Sequence, residues 1–307
     1  VRIIHSLSEL GPARHRVCLA IGFFDGVHLG HQQIIRQTTS DAHQHEALGL
    51  IVTFDCHPNS VVAPDRAPPL IYPLDRKLQV IESLGVDTTL LIHFVKEFSQ
   101  QSGEGFIRAL ARDAGQIRSI CVGSNFVFGH RRSGNVDLLR KLGTELNFTV
   151  HGLAAVALDG QAVSSTRIRQ AIAAGEFDGA GQMLGRSYCL VGKVQAGDQL
   201  GRQLGYPTAN LDVRGLVLPP GGVYAAQARA GGSFHRAVVN IGSRPTLQNP
   251  TPRLRVEAHL LDFKGDLYDQ EMELVFVDKI RDERKFPSLE ELRQQISRDI
   301  QEALLRF

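Results

Sequence analysis

Between residues 17 and 174, short apolar runs rich in β-branched residues alternate with stretches of helical period, and after Leu184 that alternation stops. The runs at 17–23, 48–54, 88–94, 117–122 and 148–156 have strand length, and helical patterns occupy 30–45, 75–84, 103–114, 135–146 and 166–174. Strands joined this way run parallel, because a parallel pair needs a crossover, so the first part of the chain is predicted to be an α/β sheet covered on both faces. Ligands on such a sheet bind at the carboxyl ends of the strands. Later runs at 188–194, 208–211, 223–230, 236–241, 254–262 and 271–277 are separated by Gly and Pro turn signals and read as a small antiparallel β-barrel. A last helix, 288–305, opens on Ser288 and Glu291 at capping-box spacing. Its apolar stripe of Leu289, Leu292, Ile296, Ile300 and Leu304 is expected to close one side of the barrel. The predicted division is two domains, 1–182 and 183–307, with a brief linker near 181–187.

Composition works mainly by exclusion. A formal net charge of +2 without any Lys- or Arg-rich run predicts no nucleic-acid partner and leaves small anions as candidate substrates. No apolar run approaches the roughly 18 residues that cross a bilayer, and the first residues lack a basic-then-apolar leader pattern, so no membrane association and a cytoplasmic location are expected. Cys18, Cys56, Cys121 and Cys189 are far apart and form no C-x-x-C pair, which argues against both a disulfide framework and a zinc site. Cys18 and Cys121 lie in apolar runs and are predicted to be plain core thiols.

The first predicted strand runs into Gly22-Phe-Phe-Asp-Gly-Val-His-Leu-Gly-His31, and helical residues follow. Phe24, Asp25, His28 and His31 therefore fall in a strand-to-helix turn, where unpaired backbone N–H groups and the helix dipole favour an anion. Gly22, Gly26 and Gly30 allow close approach of backbone to a phosphate. Two imidazoles three residues apart can donate hydrogen bonds to phosphoryl oxygens as charge builds up in a transition state. A lone loop histidine would be inert, and metal binding competes as a use for the pair, although no third ligand is obviously placed. Further on, Val163-Ser-Ser-Thr-Arg-Ile-Arg169 precedes a helix and offers Ser164, Ser165, Thr166, Arg167 and Arg169 to a second anion, such as the β and γ phosphates of a nucleotide. The hydroxyls alone would equally suit a helix N-cap.

In the second half, Gly197-Asp-Gln-Leu-Gly-Arg-Gln-Leu-Gly-Tyr-Pro-Thr-Ala-Asn210 leads into a strand whose alternation puts Thr208 and Asn210 on one face. Two neutral oxygens suit Mg²⁺ when nucleotide phosphates bring the negative charge, and Gly201, Arg202 and Gly205 could form a loop over those phosphates. A glycine-rich turn can also be only a turn. In the alternating run 254–262, Glu257 lies on the face opposite Val256 and Ala258. Unprompted it reads as a solvated strand residue, but phosphorylation of an alcohol needs a base, and Glu257 is the best-placed carboxylate.

The His-x-Gly-His and Ser-Ser-Thr-x-Ile-Arg motifs together resemble the nucleotidyltransferase superfamily that shares ancestry with class I aminoacyl-tRNA synthetases. Adding Gly123-Ser-Asn-Phe-Val-Phe-Gly-His-Arg131 and Thr53-Phe-Asp-Cys-His-Pro58 narrows the resemblance to the bacterial bifunctional riboflavin kinase/FMN adenylyltransferase (FAD synthetase) family. Pro-Thr-Ala-Asn210, Gly222-Val-Tyr-Ala225, Val239-Asn-Ile-Gly-Ser-Arg-Pro-Thr246 and Val256-Glu-Ala-His-Leu-Leu-Asp-Phe263 look like that family's kinase module, so the resemblance spans essentially the whole chain. Cys56 stands where the family usually has Pro. The resemblance implies a Rossmann-like nucleotidyltransferase domain followed by a six-stranded riboflavin kinase barrel. It implies ATP at the motifs around His28 and Ser164, ATP with Mg²⁺ at Thr208 and Asn210, and Glu257 activating the ribityl hydroxyl. Asn125 and the Arg281 to Phe286 loop are implied as flavin contacts, though 281–286 alone reads as a charged turn. Riboflavin, FMN and ATP are the expected partners of a monomer or transient homo-oligomer. Three other readings carry less: a kinase whose nucleotidyltransferase has decayed, against which the intact histidines and Asn125 argue; a flavin-binding regulator, which needs no base; and a tRNA-directed enzyme, which lacks here a basic stripe and a Lys-Met-Ser-Lys-Ser-like loop.

Overall fold

The structure is a computed structural model that describes residues 2–11, 15–197, 199–243 and 254–307. Its contacts divide the chain into two compact units, Val1–Leu70 with Leu74–Ser165, and Ile71–Pro73 with Thr166–Phe307.

The first unit is built on a six-stranded parallel sheet. Its strands are β1 (Arg2–Ile4), β2 (Arg16–Ile21), β3 (Leu48–Phe54), β4 (Thr88–Ile92), β5 (Gln116–Gly123) and, after a ribbon of β6 (Val127–Phe128) and β7 (Gly134–Asn135), β8 (Thr149–Leu153). They lie side by side in the order β1-β4-β3-β2-β5-β8. A second ribbon, β9 (Ala157–Leu158) with β10 (Gln161–Ala162), follows. Helix α1 (Leu29–Gln44) follows β2; α2 (Pro58–Val62) and α3 (Leu74–Glu82) follow β3; α4 (Lys96–Ser99) and α5 (Gly103–Asp113) follow β4; and α6 (Val136–Leu146) precedes β8.

The alternating side chains of these strands enter two cores. Val17, Leu19, Ile21, Leu50 and Val52 pack on one face with Ile107 and Leu139, and Ala20, Ile51 and Cys121 pack on the other with Ile35 and Ile81. Burial of each such Ile or Leu contributes about 1.5–3 kcal/mol, and a sheet covered on both faces gathers these contributions twice. Cys18 and Cys121 are buried free thiols, and burial pushes Cys121 up to about 12, which keeps it an inert core residue. The strand order reverses beside β2, with β3 and β4 on one side and β5 and β8 on the other. This switch point opens a crevice at the carboxyl ends of β2 and β5.

The chain goes on into α7 (Ser165–Ala174), which enters the second unit at Thr166, and α8 (Phe177–Leu184). The stretch predicted as a linker thus runs partly as helix, ending at Gly185 with φ 67°. Gly179 and Gly181 weaken its helical signal in sequence, while Ala180, Met183 and Leu184 are buried and supply the packing that overrides propensity. A closed antiparallel barrel follows, from β11 (Leu190–Gln195), then α9 (Leu200–Gln203), β12 (Ala209–Asp212), β13 (Gly222–Ala230), β14 (Ser233–Ser243), β15 (Leu254–Leu260) and β16 (Glu271–Arg281), closing in the order β11-β12-β15-β14-β13-β16.

The terminal helix α10 (Leu289–Leu304) packs on this barrel, but its predicted stripe is only partly right. Leu289 and Leu304 are exposed at 58% and 40%, whereas Asp299 and Ala303 are the buried positions. The capping box is also half formed. Ser288 Oγ accepts the Glu291 N–H at 3.2 Å, and the Glu291 carboxylate takes the Ser288 hydroxyl rather than its backbone N–H. A complete box closes instead on Ser6 and Glu9, at the short 3-10 turn Leu7–Leu10.

Candidate active sites

The chain leaving β2 makes a tight loop. Phe24, Gly26 and Val27 all have left-handed backbone angles, with φ of 55°, 75° and 41°. Only Gly26 adopts this without cost, and a β-branched residue such as Val27 at positive φ stores strain of order 1–3 kcal/mol, which marks the loop as held by its surroundings. Gly22 is needed for another reason: a Cβ there would come within 2.9 Å of the Phe24 ring, itself buried.

The loop hands over to α1 through His28, which is the N-cap and whose Nδ1 accepts the His31 N–H at 3.4 Å. That bond fixes the proton of a neutral His28 on Nε2. The two imidazoles stack, with centroids 3.6 Å apart and planes 20° from parallel, and the His31 ring meets the edge of Phe24 at 5.3 Å. Burial, and then the proximity of His28 and Lys77, hold His31 well below the usual imidazole range, so it is neutral at pH 7. Its Nδ1 is buried and has no hydrogen-bond partner among the described residues.

Of the other predicted residues, buried Asp25 receives the hydroxyl of Ser165, the last residue of the first unit, on its backbone carbonyl at 3.0 Å. Ser165 therefore directs its hydroxyl to that carbonyl, in place of the helix-capping role its position alone would suggest. Ser164 is half-buried just before α7, and Thr166 is exposed with Arg169 half-buried along it. Asn125 stands exposed in the turn after β5. From Phe54 through Phe94 and Phe98 to Phe106, Phe128 and Phe126, neighbouring rings lie 5.1–6.4 Å apart, a half-exposed apolar ladder that ends beside Asn125.

Lys77 was not legible as a site residue. It lies on the buried face of α3 with Leu78, Val80 and Ile81, where the period calls for an apolar side chain. Its ammonium is 3.3 Å from Phe23 O, 2.7 Å from Phe54 O and 3.4 Å from Thr53 Oγ1.

The barrel site rests on register. Asn210 of β12 pairs with Glu257 of β15, Glu257 with Asn240 of β14, Asn240 with Val223 of β13, and Val223 with Arg281 of β16. One row around the barrel therefore places an amide, a carboxylate, a second amide and a guanidinium on the same face. These residues line a cavity of about 360 Å³ with Gly201, Thr208 and Phe286, walled on one side by Leu292, Ile296 and Ile300 of α10. Asn240 was visible in the sequence only as part of 239–246, and Arg244 to Thr246 of that motif lie outside the described residues.

The glycines of this site make room for neighbours. A Cβ on Gly197 would collide with the Asn210 side chain at 2.2 Å, and one on Gly201 would meet Tyr206 O at 2.4 Å and Thr208 Oγ1 at 3.2 Å. The loop thus lies directly against the two predicted metal-binding side chains. His259 donates from Nδ1 to Pro207 O at 2.8 Å and meets the Tyr206 ring edge-on at 5.7 Å, fixing the residue before Thr208. Arg202 lines a neighbouring concavity with Pro207, Thr208 and Lys264, and Gly205 forms the turn between at φ 90°.

Arg281 makes a two-pronged ion pair with buried Asp299, at 2.9 Å from Nε and 2.7 Å from the terminal nitrogen, and Gln295 also donates to Asp299 at 2.8 Å. Breaking a buried pair leaves an uncompensated charge, so Asp299→Ala is expected to lower the stability of the barrel by about 3–5 kcal/mol, read as a lower denaturation midpoint for its transition.

The sequence matches the family described as FAD synthetase over residues 11–167 and that described as riboflavin kinase over residues 184–307. The bifunctional riboflavin kinase/FMN adenylyltransferase of Pseudomonas fluorescens is 38% identical over 98% of this chain and 96% of its own length. The chain belongs to the bifunctional riboflavin kinase/FMN adenylyltransferase family. Members from Haemophilus influenzae, 34% identical over 100% of this chain and 99% of theirs, and Escherichia coli K12, 36% identical over 97% and 96%, agree with that placement. As in the family, an FAD synthetase domain is N-terminal and a riboflavin kinase domain C-terminal. A solved structure described as a macrolide-efflux protein from Streptococcus pneumoniae also superposes over 97% of both chains, with a TM-score of 0.80 at 27% identity. Among the described residues of the present family member, no helix is long and apolar enough to cross a membrane.

Proposed function

We propose that the barrel, within residues 183–307, phosphorylates riboflavin with ATP, and that the sheet domain, within 1–182, transfers the adenylyl group of a second ATP to the resulting FMN. The observation that carries this reading is the division of residue types between the sites. The barrel cavity holds a carboxylate, Glu257, between two amides, and the turn from β2 into α1 holds two stacked imidazoles and no catalytic carboxylate pair. An alcohol nucleophile has to lose a proton; a phosphate nucleophile is already ionised.

In the barrel, Glu257 accepts the proton of the ribityl 5′-hydroxyl while that oxygen attacks the γ-phosphorus and ADP leaves. Thr208 and Asn210 are hard oxygen donors placed side by side, and no cluster of three His, Cys, Asp or Glu among the described residues competes as a metal site. Their chemistry fits Mg²⁺ held jointly with nucleotide phosphates, where the ion would neutralise phosphate charge. Gly201, Arg202 and Gly205 cover those phosphates. Phe286 offers an apolar face to the flavin, and Arg281, anchored by Asp299, borders the same cavity.

In the sheet domain, the FMN phosphate attacks the α-phosphorus and pyrophosphate leaves. His28 through Nε2–H and His31 through its buried Nδ1 donate to phosphoryl oxygens, backed by the N-terminus of α1. Ser164 and the motif that follows it hold the departing phosphates, and Asn125 with the phenylalanine ladder receives the flavin. The four free cysteines suit the reducing cytoplasm in which the proposed enzyme works, as a monomer or transient homo-oligomer.

Incubation with riboflavin, ATP and Mg²⁺, followed by chromatography of the flavins, should yield FMN and then FAD, with both steps arrested by a chelator. Accumulation of FMN alone would contradict the two-site reading.

A further inference from the structure

A lysine ammonium buried to 3% exposure is costly unless paired, and the ordinary partner is a carboxylate. Lys77 has instead three oxygens, the backbone carbonyls of Phe23 and Phe54 and the hydroxyl of Thr53, and Thr53 in turn donates to the same Phe23 carbonyl at 3.1 Å. Phe23 lies just beyond the end of β2, in the loop that carries His28 and His31. Phe54 closes β3, three residues before His57. The ammonium also sits 4.4 Å from the centre of the Phe23 ring, and the edge of that ring meets His57 at 4.9 Å. One side chain of α3 therefore holds together the carboxyl ends of two neighbouring strands.

We infer that Lys77 is a positioning residue for adenylyl transfer, a charged clamp that holds the His28/His31 loop in register with the His57 loop at the mouth of the sheet. The inference rests on the proposal that His28 and His31 serve that reaction. A neutral side chain in its place would remove the ammonium from the Phe54 carbonyl, leave the Phe23 carbonyl to the Thr53 hydroxyl alone, and free the strained Phe24 to Val27 turn to relax. Misplacement of catalytic groups by about 1 Å costs on the order of 10²-fold in rate without any direct contact to substrate.

Lys77 also works in a titratable setting. The groups that face it are Asp25, Asp55, Cys56 and His31. Burial draws its pKa down to about 8, against the opposing pull of Asp25, Asp55 and Cys56. The clamp thus loses its charge just above neutrality. The sign of the accompanying stability change is opposite. Between about 8 and 10.5 the unfolded chain binds the extra proton, so the contribution of Lys77 to stability rises with pH there, and a loss of activity in that window is not unfolding.

The test supplies FMN, ATP and Mg²⁺ to the full chain, to Lys77→Met and, in parallel, to His31→Ala. Lys77→Met should lower kcat for FAD formation about 10- to 100-fold with KM for FMN and ATP shifted less than about threefold, while riboflavin phosphorylation by the same preparation stays at the parent level. The parent kcat should fall as pH rises through about 8, and the Lys77→Met profile should be flat there. An unchanged kcat, a raised KM at unchanged kcat, or equal loss of kinase activity would overturn the clamp. If His31→Ala slows FAD formation and Lys77→Met leaves its kcat at the parent level, the inference alone fails; if His31→Ala is fully active, the assignment of the site itself fails.

Discussion

Replacing Glu257 by Gln is expected to slow riboflavin phosphorylation by about 10²- to 10⁴-fold while supplied FMN is still converted to FAD at the parent rate. The substitution keeps the shape of the side chain and its place between Asn210 and Asn240 in the barrel row, so the cavity and its ATP contacts persist. What is lost is the carboxylate proposed to take the proton of the attacking hydroxyl. Chromatography of the flavins formed from riboflavin and, separately, from FMN measures both rates on one preparation. Equal loss of both activities would mean that Glu257 supports the fold and not one reaction.

The complementary substitution, His31→Ala, is expected to lower FAD formation by about 10²- to 10³-fold and to leave FMN formation intact. His31 stacks on His28 and presents a buried Nδ1 that no described residue satisfies, an arrangement suited to a phosphoryl oxygen. Because burial keeps the ring neutral at pH 7, it acts on the rate as a hydrogen-bond donor and not as a titrating acid. Its contribution to stability has a definite sign as well. The unfolded chain takes up a proton near the ordinary value of 6.5 and the folded one resists it, so stability is lost as pH falls below about 6.5.

Much of this was legible in the sequence because apolar runs and periodicity are local signals. The parallel strands, the barrel strands and the loop from Gly22 to His31 all follow from residues a few positions apart. What escaped were contacts made between distant positions. Lys77 occupies an apolar slot of its helix because carbonyls 23 and 54 positions earlier in the chain await it there. Asp299 takes a buried position among the apolar residues of α10 because Arg281 of β16 pairs with it. Asn240 belongs to the kinase row by register alone, a property of three strands at once. The capping box at Ser288 failed by half for a similar reason, since spacing permits the reciprocal bond without requiring it. The short β1 and the glycine-weakened α8 carried too little pattern to be found.

The central claim is that one chain runs two reactions at two separable sites, one with a carboxylate base and one with neutral donors. It is tested most directly by mixing. Glu257→Gln and His31→Ala chains, each alone with riboflavin, ATP and Mg²⁺, should make little FAD, the first for want of FMN and the second by stalling at FMN. Combined in one tube they should form FAD, as FMN released by one is adenylylated by the other. If the mixture accumulates no more FAD than the sum of its parts, the two residues do not serve separable reactions.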